Sequence, residues 1–189
     1  MKRVMTFLSI IIMFLLLTGF WGPKGSNSEE KRQSIQKMRN ETLAELYNYA
    51  PYAKNEIRRA EGYAVFSNTG INVILLSAAN GWGVAHDNKI GKDTYMKMVS
   101  GGIGIGLGVK DFRGIFVFST DKALKHFVDK GWQAGAQVDA AAKSEEKGGA
   151  LGAAIDVAPG IKLYQLTKNG LALQATIQGT KYWKDNKLN

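Results

Sequence analysis

The chain has 189 residues, 45% of them hydrophobic and 22% charged, and its 25 Lys and Arg against 16 Asp and Glu give a formal charge of +9. These proportions are those of a folded globular protein, and the absence of cysteine excludes disulfides, thiolate metal sites and attachment as a lipoprotein through a lipobox cysteine. Glycine is abundant and proline scarce, at 22 against 3, which favours sheet over disorder, and the positive balance suits an anionic partner such as a lipid headgroup or a cell-wall polymer.

Lys2 and Arg3 precede an uncharged run from Val4 to Gly22, a positive n-region followed by an apolar h-region. Residues 1–25 therefore read as a signal peptide, or as an uncleaved N-terminal anchor with the basic end held in the cytoplasm. In both cases the remainder, 26–189, is exported: periplasmic, or tethered to the membrane by its leader. About 165 residues are enough for one domain with a real core.

Ser28 followed by Glu29 and Glu30 predicts a helix N-cap, and Ile35, Met38, Thr42, Leu46 and Tyr49 form one apolar face at spacings of three and four. Pro51 fits the first position of a second helix running to Ala60. Strands are predicted at Tyr63 to Phe66, Ile71 to Leu76 and Gly81 to Val84, with a turn over His86 to Gly91 and a further strand at Thr94 to Val99. The run that follows holds Gly102, Gly104, Gly106 and Gly108 at alternate positions. As one strand it would present a face of bare backbone, at a cost of about 2–4 kcal/mol relative to alanines. It is predicted to turn back at Lys110 to Gly114 into Ile115 to Phe118. Ser119 or Thr120 then caps a helix whose buried stripe is Ala123, Leu124, Phe127 and Val128, stopped by Gly131. Trp132 to Ala142 reads as extended, Lys143 to Gly149 as a polar loop, and Ala150 to Val157, Ile161 to Thr167 and Leu171 to Gln178 as strands, the last two joined at Lys168-Asn169-Gly170. The sum is an α+β fold: a curved, mostly antiparallel sheet of about six to eight strands, open or closing partly into a barrel, with N-terminal helices and one helix near residues 121–130.

Catalytic chemistry finds little footing. The glycine run fails the dinucleotide fingerprint, because the sixth position from Gly102 is Leu107 and a strand rather than a helix follows. There are two histidines: His126 lies off the apolar stripe of its helix, and His86 beside Asp87 is too little for a metal or for acid-base catalysis. No Gly-x-Ser-x-Gly elbow occurs, and Asp121, Asp139 and Asp156 have plain roles as cap or loop residues. No enzyme, cofactor or metal is expected. Trp82, Trp132, Tyr164, Tyr182 and Trp183 could floor a ligand cavity or form an interfacial belt, although packing in a core is the commoner fate.

Several stretches in order resemble the SYLF lipid-binding family: Ala60-Glu61-Gly62-Tyr63-Ala64-Val65-Phe66, the alternating glycines ending at Gly108, Ile115-Phe116-Val117-Phe118, and the helix with Ala123-Leu124 and Phe127. Gly131-Trp132, Gly135-Ala136, Asp139, Tyr164 and Lys168-Asn169-Gly170-Leu171 continue the resemblance, which runs from about Leu43 to Trp183. The chain departs from the family pattern at Ser67, where a proline and a glycine-rich segment are usual. The resemblance implies a compact α+β domain that binds lipid without catalysis. Actin, a partner of eukaryotic relatives, is not carried over to an exported chain, and nucleic acid is not an expected partner.

The reading that follows is a non-enzymatic phospholipid-binding domain of the cell envelope, taking a phospholipid or other anionic amphiphile at a membrane surface. Arg58, Arg59, Lys110 and Arg113, at strand ends and turns, are the candidate basic rim. The alternatives are an envelope structural or adaptor protein that binds a protein or cell-wall polymer, and a small membrane β-barrel, suggested by the alternation of the last third.

Overall fold

A computed structural model describes residues 22–73, 76–103, 108–133, 154–167, 170–172 and 179–189. Nearly all of the predicted leader lies outside them, as do Gly104, Gly106, the segment from 134 to 153 with Gly135, Ala136 and Asp139, and residues 173–178. The described elements are helices α1 (Ser28–Tyr49), α2 (Ala53–Arg59) and α3 (Asp121–Lys130), and strands β1 (Gly62–Val73), β2 (Leu76–Asp87), β3 (Lys92–Ile103), β4 (Gly108–Phe118), β5 (Trp132–Gln133), β6 (Ala154–Ala158), β7 (Ile161–Thr167), β8 (Gly170–Ala172) and β9 (Thr180–Lys184).

The fold is α+β, with one curled antiparallel sheet in the order β5-β9-β3-β2-β1-β4-β7-β6, and β8 sharing the edge of β7 with β6. Its depth of curl follows from the aromatic rings on one face. Tyr182 on β9 and Phe116 on β4 stand four strands apart, about 19 Å in a flat sheet, yet their ring centroids are 5.1 Å apart. This face is therefore the inside of a half-barrel. It is filled by Phe66, Phe116, Phe118, Met96, Met98, Leu163 and Tyr182, with Leu124 and Phe127 of α3 packed among them. On the outer face α1 and α2 cover Val65, Ile115, Val117, Tyr164 and Leu166 with Leu46, Ala50, Ala53 and Ile57. Further along, Ile35 of α1 joins Val84, Tyr95 and Leu188.

Local signals explain the helix ends. Asn27, rather than Ser28, is the N-cap of α1, its side chain accepting from the Glu30 N–H. Ser28 has already entered the first turn. Tyr49 leaves the buried stripe and is 53% exposed, although Leu46 and Ala50 at the same end of α1 are buried against the sheet. Pro51 lies in the turn before α2, which starts two residues later than predicted. Thr120 caps α3 by accepting from the Ala123 N–H, and Gly131 ends it at φ 75°.

The glycine run is the main correction. Gly102 is the penultimate residue of β3 and Gly108 opens β4, and β2 and β1 lie between those strands. Gly102 and Gly108 thus belong to two different strands of the sheet, and an alternating glycine pattern does not by itself tell one strand from two. Nor is there a hairpin at Lys110 to Gly114. These residues continue β4, opposite Gly70 to Phe66 of β1, and the polar stretch that looked like a turn is matched by an equally polar stretch, Ser67 to Thr69, on its neighbour. Likewise β1 and β2 run unbroken, paired from Gly62↔Asp87 to Val73↔Leu76, where three shorter strands were predicted.

Candidate functional site

At the end of the sheet, between α2 and the strands β4, β6 and β7, an open cleft of about 570 Å³ is lined by Ala60, Val117 and Ile161 on its apolar walls. Tyr52, half exposed, stands at its mouth, and its charged groups are Glu56, Arg59, Asp156 and Lys162. The short helix α2 positions two of these: Ile57 is buried against the outer face of the sheet, which turns Glu56 toward β7 and leaves Arg58 and Arg59 on the exposed last turn.

Glu56 is the hub. Lys162 Nζ donates to its Oε1 at 2.9 Å, and the hydroxyl of fully buried Tyr164 donates to its Oε2. Partial burial works to raise the Glu56 carboxyl, but the hydrogen bonds from Tyr164 and Lys162 outweigh it and hold the group below its ordinary range. Burial, with the facing carboxylate, pushes the Tyr164 hydroxyl far above its usual value. At neutral pH the carboxylate is thus charged and the phenol keeps its proton, and the pair anchors α2 to β7.

The predicted rim residues are dispersed. Arg59 lines the cleft and has no acidic partner among the described residues, whereas Arg58 beside it donates to Asn55 Oδ1 at 3.2 Å. Arg113 lies within β4 and is paired with Glu45 of α1 at 2.5 Å. Lys110 is placed by its backbone opposite Gly70, about 26 Å along β1 from the strand end that adjoins α2. Of the four, the structure brings Arg58 and Arg59 together, and Arg59 alone reaches the cleft. Sequence reasoning missed Lys162; its signal is the charged residue between Ile161 and Leu163 in an alternating strand.

A second polar cluster lies under α1. Arg39 Nη1 donates to both carboxylate oxygens of Asp93 at 3.0 and 2.9 Å, and His86 Nδ1 stands 2.7 Å from Asp93 Oδ1. The partner of His86 is therefore Asp93 across the β2–β3 ladder. Asp87, its sequence neighbour, instead accepts from the Lys89 and Ile90 N–H groups in the turn. The cluster ties α1 to the sheet. Among the described residues no group of three His, Asp or Glu side chains is placed to hold a metal, and no helix is long and apolar enough to cross a membrane.

No family model matches the chain. It is similar to the beta cell expansion factor A of Aeromonas veronii, 36% identical over 161 residues that make up 85% of this chain and 60% of that protein. The chain thus spans less than two thirds of the length of this relative.

Proposed function

We propose that this chain is a non-enzymatic lipid-binding protein of the cell envelope and an exported member of the SYLF family, taking a phospholipid or other anionic amphiphile. The observation that carries the reading is the cleft beside α2: apolar walls able to accept part of an acyl chain, with the Arg59 guanidinium, which has no acidic partner among the described residues, at the rim to meet a phosphate. Supporting it are the ordered motifs from Ala60 to Leu171, the α+β half-barrel, and a charge of +9 that favours anionic surfaces. Lys162 is held by Glu56 and orders the wall, which leaves Arg59 as the headgroup contact.

The test is co-sedimentation of the protein, in the form the cell exports, with neutral and anionic vesicles at low and high salt. Binding should need anionic lipid and fade with salt, and Arg59→Glu should weaken it at least about fivefold, given roughly 1 kcal/mol per basic residue at an anionic surface. Absence of binding to both vesicle types would sink the lipid reading and favour the adaptor alternative.

A further inference from the structure

The outer face of the half-barrel is not covered evenly. Beyond α1, two cross-strand rows of β2, β3 and β9 point outward: Trp82, Lys97 and Trp183 in one, Asn80, Val99 and Lys181 in the next. Both tryptophans are half-buried, Val99 is 39% exposed, and Asn80 and Lys181 are exposed. The strip is also basic. Lys97 is neutralised by the buried Asp185 at 3.1 Å, but Lys181 and the exposed Lys187, whose N–H donates to the same Asp185, have no acidic partner among the described residues. Indole rings beside unpaired ammonium groups are the pairing that sits well at a membrane interface, an apolar body with a polar edge next to headgroup phosphates.

The other end of the chain meets the same strip. The Arg32 Nε of α1 donates to the Leu188 carbonyl at 2.9 Å, and Ile35 packs with Leu188 and Trp82. The first turns of α1 therefore lie beside the strip, and only residues 23–27, at most about 18 Å of chain, separate α1 from the apolar run that ends at Gly22. A bilayer holding that run would be within reach of this face.

We propose that the strip formed by Trp82, Trp183, Val99, Lys181 and Lys187 is the surface on which the protein lies against an anionic bilayer, with the two indoles at headgroup depth and the two lysines on lipid phosphates. The proposal rests on the lipid-binding reading and adds the orientation: β3 and β9 face the membrane, and the cleft beside α2 lies at the end of the sheet.

Quenching by brominated lipid tests it. The exported form carrying Trp21→Phe is mixed with vesicles of equal phosphatidylglycerol and phosphatidylcholine whose acyl chains are brominated near the headgroup. Association should quench most of the tryptophan emission. Trp82→Phe with Trp183→Phe, which leaves Trp132 on the inner face, should abolish the quenching, and Lys181→Glu with Lys187→Glu, both exposed and outside the core, should reduce it at least fivefold at limiting lipid. Near-ultraviolet circular dichroism checks that each variant is folded. Vesicle-bound protein that keeps its emission overturns the orientation and leaves the lipid reading standing. Protein that associates with no vesicle overturns both.

Discussion

At position 83 an added Cβ would stand 2.2 Å from the Val65 carbonyl oxygen and 2.5 Å from the Phe66 ring. Phe66 is the cross-strand partner of this glycine and belongs to the inner aromatic cluster. Backbone cannot yield as a flexible side chain does, so Gly83→Ala should cost about 1–3 kcal/mol through overpacking, read from the urea midpoint. Glu56 gives a second prediction, with a sign fixed by its environment. Its carboxyl is held below the ordinary value of 4.5 by Tyr164 and Lys162 in spite of burial. A depressed carboxylate stabilises the fold above its unfolded pKa and loses that contribution as pH falls through the folded one. Glu56→Gln should therefore destabilise the protein at pH 7, by about 1–3 kcal/mol for charged hydrogen bonds to a buried phenol. The gap between wild type and variant should close as the pH is lowered below 4.5, and a gap constant from pH 7 to pH 3 would refute the assignment.

Helix α1 shows how an element is held by partners distant in sequence. Arg39 reaches Asp93 across 54 residues, and both side chains are largely buried, at 16% and 20% exposure. Asp93→Ala would leave the guanidinium without its carboxylate, keeping the Nε bond to Asn40 Oδ1, and should cost about 1–3 kcal/mol. Loss of protection from hydrogen exchange should concentrate in α1. Such partners set what the sequence could disclose. The cap and stripe of α3 were readable because Thr120, Leu124, Phe127 and Gly131 lie within one local window. The β7–β8 hairpin was readable too, since the Asn-Gly pair at 169–170 predicts a turn and the ladder pairs Thr167 with Gly170. The pairings of β1 with β4 and of β3 with β9 have no local signal, and β9 itself was overlooked among charged residues. Half of the cleft was legible for the same reason: Arg59 follows from its place at a helix end, while Lys162 arrives from β7, 106 residues away from Glu56.

Across the whole molecule, β1 is the strand on which both layers converge. It pairs with β2 over its full length and with β4 over all but its last residue. Ala64 and Phe66 face the inner aromatic cluster, and Val65 faces α1 and α2. Opening β1 therefore breaks two ladders and both hydrophobic layers at once, whereas β5 has two paired residues on β9 and β6 pairs with β7 alone. Local stability follows buried contacts and ladder bonds, so opening energies should fall from β1 toward the two ends of the strand order. In native-state hydrogen exchange the amides of Ala64 to Phe66, with Ile115 to Phe118 of β4, should exchange last and report the global unfolding free energy. Those of Trp132, Gln133 and Ala154 to Val157 should exchange through smaller openings that depend little on denaturant. If β6 amides proved as protected as those of β1, the sheet edge beside the cleft would be part of the global unit. The cleft between α2 and β7 would then be a rigid site, whereas separate, cheaper opening of β6 would let that wall move to admit an acyl chain while β1 stays closed.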